Sequence, residues 1–343
     1  MTLVRISSLA LLSLFAFSLS ALCESPVTRY QTSVDPLPNE DIASSCHYEL
    51  IIPKSKQEVA GVWVIFDRGR DVHELSTDEK VLAFARHFRI ALLLHEHCPG
   101  KEPEDHNDMN MDPSRGVGRA LSAALDQFAS ASHHRELANT RLLFLGFSGA
   151  GPLSARLVNY FHQRAVAAVL SAPGHYKPLG IDTVDLNAES LMVPQLIIVG
   201  SDDAVSGTAL PYLYFKKYRD RGAHWSFVVQ NGSPHCCTAN ARDLILDWLE
   251  AVLKEDGMRQ LQAPPEMGHN RGWLAFIKTQ QTEITDSFHL KTFKVTEARI
   301  ERASSINGFL AEWEPAGWLP NHTVAKAWLS FARQRHHPIL PLH

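Results

Sequence analysis

The feature that most constrains this chain is a repeated alternation. Short apolar runs alternate with longer stretches whose apolar residues recur at helical spacing. The runs fall at residues 48–52, 61–66 (GVWVIF), 90–95 (IALLLH), 141–147 (RLLFLGF), 166–170, 194–199 (PQLIIV) and 225–230 (WSFVVQ). They lack strict polar alternation, which suits strands covered on both faces. Helical patterns lie between them at 77–87, 116–130, 153–163, 209–219 and 239–253. In the second of these the apolar positions are Val117, Ala120, Leu121, Ala124, Leu125 and Phe128. Strand-helix alternation of this kind predicts βαβ crossovers and a mostly parallel, twisted sheet between helical layers, an α/β/α sandwich.

The alternation ends near residue 256. The remainder, 257–343, mixes Gly, Pro, aromatic and charged residues, with a candidate strand at 288–295 and a candidate helix at 324–335. It reads as a C-terminal extension or small module. Residues 24–45 carry Pro26, Pro36 and Pro38 and read as an extended lead-in. The 343 residues suffice for one large α/β domain with additions. With 33 Lys+Arg against 37 Asp+Glu the net charge is −4, which gives no support to a nucleic-acid partner or an anionic membrane surface.

The first 23 residues read as a cleaved secretory signal. Arg5 supplies the positive start, residues 9–19 are mostly apolar, and Ala21 and Cys23 are the small residues before a cut. The expectation is a secreted or periplasmic protein without stable membrane insertion once the signal is removed. A lipid anchor on Cys23 is the less favoured alternative, because Leu22 suits it poorly.

The sharpest chemical motif is Gly146-Phe147-Ser148-Gly149-Ala150-Gly151, between a strand and a helical pattern. Small neighbours permit a tight turn that exposes the serine hydroxyl, and the N–H groups of the helix start face developing negative charge. A Gly-rich turn of this kind also packs or binds phosphate, so the hexapeptide alone leaves those readings open. A serine nucleophile needs a base, and the base an orienting carboxylate. Strand 194–199 is followed by Gly200-Ser201-Asp202-Asp203, and strand 225–230 by Asn231-Gly232-Ser233-Pro234-His235. Each polar group thus follows its own strand, as convergence at one edge of a parallel sheet requires. His175, in Ala172-Pro173-Gly174-His175, also follows a strand.

With this ordered set, residues 46–256 resemble the α/β-hydrolase superfamily. The resemblance rests on the elbow at Ser148, the acid loop Gly200 to Val205, and His235 after the last strand. It implies a catalytic set of Ser148, Asp203 and His235, with Asp203 preferred over Asp202 because it stands three residues after Gly200. It also implies an oxyanion hole built from Gly149 and a donor in the loop after strand 61–66, at Arg68 or Gly69. That loop reads Asp67-Arg68-Gly69-Arg70-Asp71, where many relatives carry His-Gly. Arg70 and His175 are candidate substrate-binding residues. In the resembled fold, strand 48–52 runs antiparallel to strand 90–95, which brings Cys46 near Cys98 as a candidate disulfide. Cys236 and Cys237 follow the candidate base and either pair with each other or stay reduced.

The activity implied is that of a secreted serine hydrolase acting on carboxylic esters, without a cofactor. Small-molecule or polymer esters suit an exported enzyme. A peptidase on the same three residues is the alternative. A non-catalytic scaffold is a further one, to which Trp273, Trp313, Trp318 and Trp328 would supply sugar-stacking faces. The sequence leaves the oligomeric state open. The stretch His95-Glu96-His97-Cys98, followed by Glu102, Glu104, Asp105, His106 and Asp108, holds metal-ligand residue types. No second pair has structural-zinc spacing, so it reads as a solvated acidic loop and no metal is expected.

Overall fold

A computed structural model describes residues 27–55, 57–66, 70–101, 112–174, 179–255, 272–283, 291–305 and 316–336. The main sheet is formed by β1 (Val27–Val34), β2 (Cys46–Pro53), β3 (Gly61–Phe66), β4 (Ile90–His97), β5 (Arg141–Phe147), β6 (Ala165–Ser171), β7 (Gln195–Gly200) and β8 (Trp225–Gln230). The strand order is β1-β2-β4-β3-β5-β6-β7-β8. All neighbours from β4 to β8 are parallel, and β1 and β2 are antiparallel additions at one edge.

The helices are α1 (Arg70–Leu75), α2 (Glu79–Phe88), α3 (Val117–Ser132), α4 (Ala150–Tyr160), α5 (Ala188–Leu191), α6 (Ala209–Arg219), α7 (Arg242–Glu255) and, beyond the main sheet, α8 (His322–Arg333). Every residue of β3, β7 and β8 is buried. Successive side chains of a strand point to opposite faces, so both faces of the sheet are covered. That is the three-layer α/β/α arrangement predicted, and with this topology it is the α/β-hydrolase fold. The apolar stripe read in the sequence for α3 is its buried face. At α2, the Asp78 side chain accepts from the Lys80 and Val81 N–H groups, satisfying two donors that a helix start leaves unpaired.

Within the stretch read as a lead-in, residues 27–34 form β1, which pairs with β2 over its whole length. Its inner and outer positions alternate between half-buried and exposed, as expected at a sheet edge.

The C-terminal extension contributes β9 (Trp273–Glu283), β10 (Lys291–Arg302) and β11 (Gly317–Leu319), ordered β10-β9-β11 and all antiparallel, together with α8. It packs on the β8 edge of the main sheet. Trp328 is fully buried there, and its indole N–H donates to the Phe227 carbonyl at 3.0 Å. The Ser226 hydroxyl donates to the Trp318 carbonyl. Burial of an apolar side chain of this size contributes about 1.5–3 kcal/mol, so α8 is held chiefly by Val324, Trp328 and Phe331. Trp318 and Trp328 are buried and present no face to a sugar ring. Trp273 stacks on His322, with ring centroids 4.4 Å apart, and Trp313 lies outside the described residues. Among the described residues no helix is long and apolar enough to cross a membrane.

Candidate active site

Ser148 stands between β5 and α4 with φ at +54°, in the left-handed region that a residue with a Cβ seldom adopts. Hydrogen bonds hold it there. Its N–H donates to the Ser171 carbonyl at 3.0 Å, and its own carbonyl accepts from the Gly151 and Gly174 N–H groups at 3.0 and 2.8 Å. The turn needs the missing side chain at Gly146, because a Cβ there would collide with the Ala150 carbonyl and the Ser154 hydroxyl. Gly149 is the N-terminal cap of α4, so the first turn of that helix begins beside the serine.

Asp203 follows β7 and is completely buried. One carboxylate oxygen accepts from the Val205 and Ser206 N–H groups, each at 2.8 Å. The other lies 2.9 Å from His235 Nδ1. His235 follows β8, and its Nε2 lies 3.0 Å from Ser148 Oγ. An ionised carboxylate only accepts, so Nδ1 carries the proton and donates to Asp203, which leaves Nε2 as an acceptor for the serine hydroxyl. The imidazole packs against the Phe147 ring, with centroids 4.9 Å apart, and its side chain keeps 16% exposure. Hydroxyl, imidazole and buried carboxylate thus form one continuous line with an open end at the serine.

The acid and base loops are also joined to each other. The Asp202 N–H donates to the Ser233 carbonyl at 2.9 Å, the Ser201 N–H to the Gln230 carbonyl at 3.1 Å, and the Gly232 N–H to the Ser201 hydroxyl at 2.7 Å. The approach is close enough that a Cβ on Gly200 would meet the Ser233 and Pro234 carbonyls, the latter at 2.8 Å. Asp202 is engaged elsewhere. It accepts from the Ser201 hydroxyl and lies 3.7 Å from the Lys294 ammonium.

Behind the site, the Ser171 and Thr238 hydroxyls share a hydrogen bond at 2.8 Å. Arg156 on α4 donates to the Leu179 and Gly180 carbonyls and the Thr183 hydroxyl, fixing the chain that returns after β6. Burial pushes its guanidinium below the usual arginine range.

The structure therefore brings together Ser148, Asp203 and His235, with Gly149 beside them. Arg68, Gly69 and His175 lie outside the described residues, as does the side chain of Arg70, the first residue of α1. Cys46 and Cys98 are brought together, with Cα atoms 4.1 Å apart, at the place where β2 runs antiparallel to β4. Cys236 and Cys237 have Cα atoms 3.7 Å apart, with their sulfurs side by side. The strand read as ending at His95 runs two residues further, which leaves less of the 95–108 stretch for a solvated loop. His95, within β4, is buried, with ring centroids 4.9 Å from both Tyr48 and Phe66. Cys98 is buried as well, and Glu102 to Asp108 lie outside the described residues. Among the described residues no three His, Cys, Asp or Glu side chains are placed to share a metal ion.

No family model matches this sequence, and no curated protein matches it. Solved structures similar to it include an acylaminoacyl peptidase in complex with Z-Gly-Gly-Phe-chloromethyl ketone, at 11% identity and a TM-score of 0.48, over 71% of this chain and 43% of that one. This chain therefore spans less than half of the peptidase's length. A ferulic acid esterase is similar at 11% identity and a TM-score of 0.47, over 66% and 98% of the two chains. Carboxyl esterase 2 from the mycorrhizal fungus Tuber melanosporum is similar at 14% identity and a TM-score of 0.46, over 69% and 91%. At these identities the likeness is one of fold alone.

Proposed function

We propose that this chain is a serine hydrolase that cleaves carboxylic esters through an acyl-enzyme. One observation carries the reading: Ser148 Oγ lies 3.0 Å from His235 Nε2, while Nδ1 of the same ring lies 2.9 Å from the buried Asp203 carboxylate. Ser148 attacks the carbonyl carbon of the ester as His235 takes its proton. The resulting imidazolium is stabilised by Asp203 and gives its proton to the leaving alcohol. Water, deprotonated by the same ring, then releases the acid and restores the serine.

The negative oxygen of each tetrahedral intermediate is assigned to the Gly149 N–H at the start of α4 and to a second donor at Arg68 or Gly69. Dipoles fixed before the reaction at such a position contribute about 3–4 kcal/mol per donor. No cofactor is required for these steps. We also read the protein as exported, on the character of residues 1–23 and the Cys46–Cys98 pairing, since disulfides persist in oxidising compartments.

The test is labelling with a fluorophosphonate probe, followed by turnover of p-nitrophenyl esters and peptide p-nitroanilides by the same sample. Labelling that disappears in Ser148→Ala, with turnover of esters above anilides, is the expected result. Faster turnover of the anilides makes the protein a peptidase. Folded protein that neither labels nor turns over any substrate overturns the enzyme reading.

A further inference from the structure

The strand β10 lies at the edge of its small sheet, with β9 on one side only. Two N–H groups on its other side, two residues apart, are taken by side chains of the catalytic domain. The Phe293 N–H donates to the Thr208 hydroxyl oxygen at 2.9 Å, and the Val295 N–H donates to Asn231 Oδ1 at 3.1 Å. Thr208 stands five residues after Asp203, and Asn231 stands four residues before His235.

The Asn231 amide is used completely. Its Nδ2 donates to the carbonyls of Val295 and of Ala332 in α8, both at 3.3 Å, so with Val295 it reproduces the two-bond exchange of a strand pair. Its main-chain carbonyl accepts from the His336 N–H at 2.7 Å. Thr208 is fully buried, so its hydroxyl is the partner that keeps a buried N–H from being left unsatisfied. Between the two anchors, the Lys294 ammonium reaches Asp202.

The geometry points to β10 as a splint that sets the acid loop against the base loop, with Asn231 and Thr208 as positioning residues for His235 and Asp203. Residues two apart on a strand are separated by about 7 Å, and that separation is stiff because Phe293, Lys294 and Val295 are all paired to β9, the register shifting only after Val295. A catalytic hydrogen bond loosened by a fraction of an ångström is a lost alignment, and small misplacements of this kind reduce rate far more than binding. This inference rests on the hydrolase reading for its kinetic consequence, but its structural content does not.

The experiment compares Thr208→Val, Thr208→Ser and Asn231→Ala with the parent protein. Glu297→Gln serves as control, because Glu297 is exposed on the same strand and pairs with Lys278 across the hairpin. For each, kcat and KM on a p-nitrophenyl ester are measured beside the downfield imidazole N–H proton resonance that a strong His235–Asp203 hydrogen bond produces. Thr208→Val removes the hydroxyl at nearly constant shape, and Thr208→Ser restores it.

The expected result is a fall in kcat of at least about tenfold for Thr208→Val and Asn231→Ala with KM within about twofold, a broadened or shifted downfield resonance, and recovery of both in Thr208→Ser. Circular dichroism establishes that each variant is folded. If Asn231→Ala does not fold, the Thr208 pair carries the test alone. An unchanged resonance and unchanged kcat in folded Thr208→Val overturn the splint while leaving the hydrolase reading intact. A parent protein without activity, whose resonance still moves in Thr208→Val and returns in Thr208→Ser, overturns the hydrolase reading and leaves the splint.

Discussion

Asp203 gives one carboxylate oxygen to His235 Nδ1 at 2.9 Å and the other to two backbone N–H groups. Its orientation is therefore fixed by the loop that carries it, independently of the imidazole. In Asp203→Asn the amide oxygen stays with the two N–H donors, and the amide nitrogen then faces Nδ1. A donor there forces the proton onto Nε2, which can no longer accept from Ser148. A loss of about 10⁴-fold in kcat is expected, with little change in melting temperature. Ester kinetics and a thermal scan on the same preparation check it, and activity within tenfold of the parent would contradict the assigned tautomer.

The left-handed conformation of Ser148 makes a second prediction. Ser148→Ala and Ser148→Gly both lack the hydroxyl and are both expected to be inactive. Only glycine adopts φ of +54° without strain, so Ser148→Gly should exceed Ser148→Ala in stability by about 1–2 kcal/mol. Urea midpoints of the two variants measure the difference directly. Equal midpoints would show that the turn holds no strain.

Gly200 tests the contact between the acid and base loops. An added methyl meets two carbonyl oxygens of the loop leading to His235. Overpacking of this kind destabilises by about 1–3 kcal/mol, and here it also separates Asp203 from His235. Gly200→Ala is therefore expected to lose activity by a larger factor than its loss of stability would explain. Titration with a fluorophosphonate gives the fraction of competent sites needed for that comparison.

A pH dependence follows from Glu40. Burial raises its carboxyl pKa, but the Arg119 guanidinium and the Leu37 N–H outweigh burial and hold it below the ordinary glutamate value. A carboxyl lowered in the folded state contributes its full stability above the unfolded value, about 4.3. The contribution is lost as pH falls through the lower folded value. Glu40→Gln should therefore be less stable than the parent at neutral pH, and the two should converge in acid. Urea melts at pH 7 and at successively lower pH check the convergence, and a gap that widens in acid would refute it.

A bond between the buried Cys46 and Cys98, the pairing we propose, would close a sequence separation of 52 residues. Replacing both cysteines by alanine is expected to destabilise the chain by about 2–4 kcal/mol. A non-reducing peptide map must first show the two cysteines in one linked fragment.

The sequence was most legible where strands are buried on both faces. The bounds of β3, β5 and β8 are those read from GVWVIF, RLLFLGF and WSFVVQ, because such strands are continuous apolar runs. The strand β1 (VTRYQTSV) was hidden by its polar alternation and the prolines around it. The end of β9, TQQTE, carries no apolar residue. Ser148 stood out because the constraint on an elbow is local. The roles of Thr208 and Asn231 were not legible, since their partners lie 85, 64 and 101 residues away and only the folded chain brings them together.

The small sheet on the β8 edge also bears on how this protein fails. A sheet's last strand offers a row of unpaired N–H and C=O groups to any other chain, and natural proteins blunt that row or cover it. Here the Trp328 indole N–H takes one of those carbonyls, that of Phe227, and the Trp318 carbonyl accepts from the Ser226 side chain beside it. Proteolytic loss of the extension would turn a covered edge strand into an adhesive one, so trimmed molecules should appear as aggregates before they appear as slow enzymes.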